Sequence, residues 1–402
     1  MSVPAQAIPA QDIPAPAVSV LVTTYNRAAL LPRAIRSVLE QDFRDFELIV
    51  IDDASRDETP DVMRTFSDSR IRHLRNAENQ GAAHGDRAHV RRCIHELMRG
   101  KYFIYLCDDD YWLPKNLLSR QVAAFEKYPG LTMAVGAQAH NYPRPLPKLA
   151  ANNGIVYEPV ASISATTYHT RNAFPSGRIE GRRYLELLSD EPMARNMLDG
   201  ATLFSREAML KARAFASDDG ARWQAGFEFK VGPALFGDVF YIDEPCVVAG
   251  TGAEVASYRG SQRQHYIDCL TSVNQAIANA LPALPPKERE AALELKRRFV
   301  HQLTIGFLFN RITYKLGWQA LNPFDQSGMY GENVTFSLAW RTLRANRAKL
   351  TAGNFCTLLL ASTPSPVLRA MYTAVMACEA TIGRLLPVRA WLWRGLKRMP
   401  GA

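Results

Sequence analysis

The strongest constraint on the fold is an alternation of short apolar runs with helical patterns, which begins at Val18. The apolar runs are rich in β-branched residues, whereas the segments between them repeat leucine and alanine at helical spacing. The predicted strands are 18–22, 47–52, 71–75 and 101–107, and the predicted helices are 30–41, 60–66 and 90–98. Strands that alternate with helices form βαβ units, so we expect an α/β fold with a Rossmann-like, mostly parallel sheet flanked by helices.

The remainder of the chain has other patterns. The N-terminal segment is rich in alanine and proline, which predicts a flexible lead-in, and residues 137–198 read as loop-rich. Order is expected to return at residue 200, and helices are expected to dominate from about 262. The expected units are a lead-in at 1–17, one domain at 18–260 with halves 18–136 and 137–260, and a helical C-terminal extension at 261–402.

The composition is that of an ordinary globular protein, with 47% hydrophobic and 22% charged residues. The net charge of +9 favours anionic partners such as phosphorylated ligands or an acidic membrane surface. No nucleic-acid recognition module is recognisable, and the six cysteines lack metal-site or disulfide spacing. The N-terminus has no secretory signal and no apolar stretch has membrane-spanning length, so a cytoplasmic protein with reduced thiols is expected.

Polar clusters follow three of the predicted strands. These clusters are Thr23–Arg27, Asp52–Asp57 and Asp108–Asp110. In parallel α/β sheets, ligands bind outside the carboxyl ends of the strands. The coincidence of three clusters at such ends therefore predicts one ligand site at this edge.

The segment Asp108–Asp110 is the strongest chemical signal. Three consecutive carboxylates after a buried strand are electrostatically costly unless a cation or hydrogen-bond donors offset them. Mg²⁺ and Mn²⁺ bind carboxylate oxygens together with substrate phosphates. Alternation along an extended chain lets Asp108 and Asp110 share one ion while Asp109 points elsewhere. The alternative is a solvated acidic turn.

The order of four segments resembles the donor half of the family 2 glycosyltransferases, which have the GT-A fold. The segments are VSVLVTTYNR (18–27), FELIVIDDASRDET (46–59), NQG (79–81) and GKYFIYLCDDDYWLP (100–114). Together they cover about a third of the chain. The four segments in this order are specific to the family, whereas any one segment alone also occurs in other proteins.

The resemblance implies roles in donor and metal binding. The implied donor-binding residues are Thr23, Tyr25, Asn26, Asp53, Asn79, Gly81, Arg91 and Asp108. Asp108 and Asp110 match the outer positions of the family's D-x-D, which implies a bound Mn²⁺ or Mg²⁺ with Asp110 as the direct ligand. The segment around Arg91 departs from the family pattern by an insertion, and counting from its other end selects Asp86 and Arg87 instead.

The segment GFEFKVGPALFGDVFYIDEP (226–245) resembles the acidic block that precedes a helix and a strand in the same family. On that match Glu228 stands at the position of the catalytic carboxylate. The resemblance implies an inverting transfer in which this group takes the proton of the acceptor hydroxyl. Asp199, Asp218 and Asp219 are rival bases, and a surface glutamate is the structural alternative.

Residues 363–402 carry six basic residues and one acidic residue among leucines and tryptophans. This pattern suits an interfacial helix on anionic lipid, or a helix that packs on the core or on a partner; both readings stay open. An enzyme that works on lipid-linked saccharides would benefit from the first location.

The sequence therefore predicts a metal-dependent, inverting glycosyltransferase of cell-surface polysaccharide synthesis. It would move a sugar from a nucleotide-sugar donor, a UDP-sugar by default, to a saccharide or lipid-linked acceptor. Its expected place is the cytoplasm or the inner face of the membrane. One alternative is a non-catalytic relative that binds nucleotide or anchors a glycan assembly complex. The other is a sugar-phosphate nucleotidyltransferase, although TTYNR (23–27) lacks the glycine-rich loop that such enzymes use.

Overall fold

The computed structural model describes residues 14–80, 96–141, 155–190, 192–195, 199–214, 226–250 and 262–313. Residues up to Gln302 form one compact unit, and a second unit begins at Leu303. The sheet and the polar clusters lie in the first unit. The predicted domain boundary at 260/261 and most of the predicted lead-in lie outside the described residues.

One mixed sheet organises the described part of the first unit. Its strands are β1 (Val18–Thr24), β2 (Phe46–Asp52), β3 (Ile71–Arg75), β4 (Tyr102–Cys107), β5 (Tyr111–Trp112), β6 (Leu131–Asn141), β7 (Val156–Pro159), β8 (Thr167–Arg171), β9 (Gly177–Ile179), β10 (Thr202–Ser205) and β11 (Asp238–Ala249). The main path is β3-β2-β1-β4-β10-β6-β11-β5, with β8 beside β6, β7 beside β8, and β9 beside β11.

The half of the sheet from β3 to β4 is parallel throughout. Every residue of β1 and β2 is buried, which is the pattern of strands covered on both faces. Beyond β4, the pairing of β6 with β11 is parallel and the other described pairings are antiparallel. The carboxyl ends of β1, β2 and β4 consequently share one edge.

Helices cover the faces of the sheet. The described helices are α1 (Leu31–Leu39), α2 (Thr59–Arg64), α3 (Leu117–Lys127), α4 (Gly181–Asp190), α5 (Pro192–Arg195), α6 (Arg206–Lys211), α7 (Phe227–Ala234), α8 (Gln262–Ala280) and α9 (Pro286–Thr313). Helix α1 shows why they form: Leu31, Ala34, Ile35 and Val38 repeat at three- and four-residue spacing and are all buried. None of these described helices combines the length and the apolar character needed to cross a bilayer.

Most predicted elements are confirmed, within the usual shift of one or two residues at their ends. The prediction that 137–198 is loop-rich is wrong for its described residues, because β7, β8, β9 and α4 lie there. These strands are short, and TYHTR of β8 mixes polar with aromatic side chains, so no apolar run marks them. The predicted helix at 90–98 and the helical tail beyond 313 fall mainly outside the described residues.

The end of the sheet away from the polar clusters is held by the buried carboxylate of Glu47, at the start of β2. It accepts hydrogen bonds from the Ser19 hydroxyl at 2.7 Å, the Arg72 guanidinium at 2.7 Å and the Arg99 amide at 2.9 Å. Burial acts to raise its pKa, but these donors outweigh burial and hold the pKa of Glu47 below its usual value. Through Arg99, Glu47 fixes the chain just before β4.

We expect Glu47→Gln to lower the free energy of unfolding at pH 7 by about 1.5–3 kcal/mol, the range for hydrogen bonds to a charged group. Because the folded-state pKa is depressed, this stabilisation is full above the unfolded-state pKa and is lost as pH falls through the folded-state value. Urea titrations at pH 7 and at pH 3 measure the difference. Glu40→Gln, which removes an exposed ion pair with Lys115, is the control and should change stability by less than about 0.5 kcal/mol. An equal effect of both substitutions would contradict the assignment.

Candidate active site

The three predicted polar clusters meet at one edge of the sheet. The strand order β2-β1-β4 and the parallel pairing place their carboxyl ends side by side. The register sets Thr24 opposite Asp52 and Thr23 opposite Cys107. The loops that leave these strands therefore lie side by side, and their use as one ligand site stays a prediction.

Hydrogen bonds join the loop after β1 to the loop after β2. The Asn26 amide donates to the Ser55 hydroxyl at 2.9 Å, and the Arg56 amide donates to Asn26 Oδ1 at 2.7 Å. The Ala28 amide donates to Asp57 Oδ2 at 3.0 Å. Asn26 has a φ of 54°, a left-handed conformation that asparagine tolerates better than most residues. Its side chain thus links the two loops, and its contact with a nucleotide stays a prediction.

Asp53 organises the segment that follows β3. Its buried carboxylate accepts from the Asn76 side-chain amide at 2.6 Å and from the Gln80 backbone amide at 2.8 Å. The Asn79 side-chain amide donates to the Asp53 carbonyl at 3.3 Å. Asp53 and Asn79 are therefore neighbours, as a shared donor site requires. Gly81, which the sequence placed in the same site, lies outside the described residues.

Two other predicted positions have partners inside the protein. Thr23 is buried, and its hydroxyl lies 2.9 Å from the hydroxyl of Tyr105. Asp52 is buried and forms an ion pair with Arg75. Tyr25, the first residue after β1, is partly buried. The roles of Thr23 and Tyr25 toward a nucleotide stay predictions.

The acidic segment forms a turn and does not continue β4. The Asp110 amide donates to the carbonyl of Cys107 at 3.2 Å, which closes a four-residue turn. The Sγ of Cys107 and one carboxylate oxygen each of Asp109 and Asp110 all lie within 4.8 Å of one another. Asp108, the second residue of the turn, is not in this group. The alternation predicted for Asp108–Asp110 needs an extended chain, and the strand ends at Cys107.

Asp108 is buried between the turn and β1. Burial raises the pKa of its carboxyl to about 7, and the charge of Asp109 acts in the same direction. The nearby Thr24 hydroxyl and the charge of Arg27 act in the opposite direction. Its Oδ2 has no hydrogen-bond partner among the described residues. A buried carboxylate oxygen in this state is costly unless a ligand compensates it.

Asp110 is also buried, and its carboxyl is held by a backbone donor. Burial raises its pKa to about 8, with the charge of Asp109 as the next contribution. The Gly250 amide donates to Asp110 Oδ1 at 2.9 Å. A Cβ at Gly250 would lie 2.6 Å from the Cβ of Asp109, so only glycine allows this approach. The end of β11 is thereby fixed against the acidic turn.

The side chains of Arg33 and Trp112 make further contacts at and next to the acidic turn. Arg33 of α1 donates to the carbonyl of Asp109 at 3.1 Å and places its guanidinium 4.1 Å from the centre of the Tyr111 ring. The indole N–H of Trp112 donates to the carbonyl of Gly200 at 2.5 Å. Hydrogen bonds thus connect the turn, or the strand directly after it, to α1, to the residue after β11 and to the segment before β10.

These residues fit a divalent cation. Two buried carboxyl groups with raised pKa values lie beside a third carboxylate, and one of their oxygens has no partner among the described residues. Carboxylate oxygens are the donors that Mg²⁺ and Mn²⁺ prefer, and the thiol of Cys107 adds a softer donor. The predicted use of Asp108 together with Asp110 stays a prediction, since the oxygens found close together belong to Asp109 and Asp110.

The acceptor side is described only in part. Glu228 lies in the first turn of α7, after Gly226 with its left-handed φ of 65°, but its side chain is outside the described part. Asp199 begins a short 3-10 turn and directly precedes Gly200. The Gly200 carbonyl accepts a hydrogen bond from Trp112, which follows the acidic turn closely in the sequence. Asp218, Asp219 and Arg91 lie outside the described residues.

Several residues that shape the site received no individual role from the sequence. These are Cys107, Thr24, Arg27, Arg33, Trp112, Gly200 and Gly250. Arg27 and Arg33 follow the first strand closely and could have been considered as partners of the acidic segment. Gly250 carries no local signal, because its importance comes from a contact 140 positions away in the chain.

Comparison with known proteins shows similarity to one family of transferases over part of the chain. Residues 19–180 match the family model described as glycosyl transferase family 2. The UDP-Glc:alpha-D-GlcNAc-diphosphoundecaprenol beta-1,3-glucosyltransferase WfaP of Escherichia coli is 32% identical over 109 residues, which are 27% of this chain and 41% of that protein. The GalNAc(5)-diNAcBac-PP-undecaprenol beta-1,3-glucosyltransferase of Campylobacter jejuni is 35% identical over 115 residues, 28% of this chain and 36% of that protein. The chain thus spans less than half the length of each relative.

Among solved structures, residues 1–349 of S. aureus TarS in complex with UDP-GlcNAc superpose with a TM-score of 0.53. The match covers 92% of this chain and 93% of that one at 13% identity, so it concerns the fold alone. TarS has the GT-A architecture, a mixed α/β sheet flanked by helices. Residues 19–180, less than half of the chain, thus match glycosyl transferase family 2, and the chain shares the GT-A fold.

Proposed function

We propose that this protein transfers a sugar from a nucleotide-diphosphate sugar, by default a UDP-sugar, to a saccharide acceptor with inversion at the anomeric carbon. The observation that carries the proposal is the junction of three loops at the carboxyl ends of β1, β2 and β4, with two buried, under-compensated carboxyl groups between them. Such a site combines polar loops that can contact a nucleotide with a place for a cation that neutralises a diphosphate.

The donor is held by the loops that hydrogen bonds already order. Asp53 and the segment from Asn76 to Gln80 form one wall, and the loops linked by Asn26 form the next. Because these loops are fixed before any ligand arrives, nucleotide binding need not bear their ordering entropy. The polar groups of Asp53 and Tyr25 are the proposed contacts to base and ribose.

The acidic turn is the proposed cation site. Asp110 and Asp109 would hold the ion, with Asp108 against β1 as a further acidic group. A divalent ion bound there would neutralise the diphosphate and stabilise the charge that develops on it as the sugar leaves. Arg33 keeps the turn in the conformation that presents these carboxylates.

The acceptor hydroxyl needs a base, and Glu228 at the start of α7 is the proposed one. A carboxylate there takes the hydroxyl proton while the oxygen attacks the anomeric carbon. Asp199 is the rival, because the hydrogen bond between Trp112 and Gly200 holds its neighbour beside the acidic turn. The two candidates make different predictions.

The proposed acceptor class is a lipid-linked saccharide of cell-surface glycan synthesis. Two relatives carry names that specify undecaprenol-linked diphosphate acceptors. The basic, tryptophan-containing tail at 363–402 would suit work at an anionic membrane surface, with the protein on the cytoplasmic face. A transfer assay with radiolabelled UDP-sugars and undecaprenyl-diphosphate saccharides in detergent tests this proposal. Hydrolysis or no turnover with every pair would contradict it.

Removal of the charge at Asp110 should stabilise the metal-free protein. The raised pKa means that ionising Asp110 costs stability as pH rises from the unfolded-state value of 3.8 through about 8. Asp110→Asn keeps an oxygen for the Gly250 amide and should raise the free energy of unfolding at pH 8 by about 1–3 kcal/mol. Thermal denaturation in EDTA and in Mn²⁺ measures this, and Mn²⁺ should stabilise the wild type but not the variant. A variant that is less stable in EDTA would contradict the description of the turn.

Glu228→Gln should leave nucleotide binding intact and lower sugar transfer by about 10²–10⁴-fold, the usual contribution of a general base. Asp199→Asn is the matched comparison and should retain most transfer. Initial rates at saturating donor, with nucleotide affinity measured by calorimetry, separate binding from chemistry. The reverse ranking of the two variants would assign the base to Asp199.

A further inference from the structure

We infer that Cys107 is a metal ligand of the acidic turn, acting with Asp109 and Asp110, and that this thiolate makes the site prefer Co²⁺ or Zn²⁺ over Mg²⁺. The inference rests on the proposed function only in that the turn holds a divalent ion. It names a ligand set and a metal preference that carboxylates alone would not give, since soft thiolate donors favour the later transition metals.

The backbone of the turn brings these three groups together. The hydrogen bond from the Asp110 amide to the Cys107 carbonyl sets the first and last residues of the turn side by side. The Sγ of Cys107 and the two carboxylate oxygens lie within 4.8 Å of one another, a separation that ligands of one ion can have. Asp108 is not in this group, and its carboxyl interacts with the Thr24 hydroxyl at the end of β1.

Exposure distinguishes Cys107 from the other described cysteines. Cys246 and Cys269 are buried, whereas Cys107 is partly exposed at the end of β4, next to the carboxylates. The adjoining Asp108 has a buried carboxylate oxygen without a partner among the described residues, so the same turn carries a further acidic group that its described donors do not compensate. The remaining contacts of the turn, from Gly250 and Arg33, supply hydrogen-bond donors but leave three carboxylates beside one another.

Binding of the ion would convert the Cys107 thiol to a metal-bound thiolate, with the proton released to solvent. The bond formed is one metal–sulfur bond, and the bonds lost are the S–H bond and one bond from the ion to water. No oxidation or reduction takes place. The immediate observable is the near-ultraviolet charge-transfer absorption of a Co²⁺–thiolate bond.

The test titrates the metal-free full-length protein with Co²⁺ and, separately, with Mg²⁺, without nucleotide. Wild type should develop the charge-transfer band at one equivalent of Co²⁺, and Cys107→Ser should lose it. The Co²⁺ affinity of Cys107→Ser should fall by about 10-fold or more, the size typical of losing a group that supports a metal. Its Mg²⁺ affinity should change little. Cys269→Ser, which removes a buried thiol of α8, is the control and should keep the band.

A second measurement needs no variant. Bound Co²⁺ should protect Cys107 from alkylation by iodoacetamide, read by mass spectrometry of the peptide that contains it. A charge-transfer band that persists in Cys107→Ser, or alkylation of Cys107 unaffected by Co²⁺, would overturn the inference. Failure of the proposed function is distinguishable: it leaves metal binding to Cys107 intact and removes nucleotide binding or sugar transfer.

Discussion

The hydrogen bond between the Asp110 amide and the Cys107 carbonyl is the contact on which the site depends. It ends β4, reverses the direction of the chain and decides which side chains of the acidic segment face each other. Without the turn, alternation would set Asp108 and Asp110 on one side of a strand. With it, Asp109 and Asp110 lie beside Cys107, while Asp108 is turned toward β1.

Buried carboxyl groups at the two ends of the sheet have pKa values shifted in opposite directions. At the amino end of β2, Glu47 accepts hydrogen bonds from a hydroxyl, an amide and a guanidinium, and its pKa is lowered. At the carboxyl end of β4, Asp108 and Asp110 have too few donors for their charge, and burial raises the pKa of each. A carboxylate of the first kind stabilises the fold, whereas carboxylates of the second kind destabilise it unless a cation is bound. The contrast separates a group that stabilises the fold from groups that are candidates for ligand binding.

The strands and helices from β1 to β4 could be predicted because each leaves its pattern within its own short segment of sequence. Buried parallel strands require continuous apolar runs, and α1 requires a three- and four-residue repeat, so both leave a clear pattern in the sequence. The strands between residues 156 and 179 could not be predicted in this way. They lie on the later, mostly antiparallel side of the sheet, where pairing with a neighbour stabilises short segments of mixed polarity.

For the proposed site, the sequence identified which strand ends bring polar side chains together, but not how those side chains are arranged. The direction of Asp108 follows from a turn, and the support of Asp110 follows from Gly250, which is distant in sequence. Asn26 shows a related limit. It matches a nucleotide-binding segment, yet its side-chain oxygen accepts a hydrogen bond from the amide of Arg56 and so links two loops of the proposed site. Motif matching alone does not separate these two uses of a side chain.

We propose that this edge of the sheet is a metal-dependent nucleotide site. The most direct test is calorimetric titration of the purified protein with UDP, GDP, dTDP and CDP, each in Mn²⁺ and in EDTA. We expect one nucleotide, UDP by default, to bind in Mn²⁺ and to bind weakly or not at all in EDTA. Absence of binding for all four nucleotides in both conditions would contradict it.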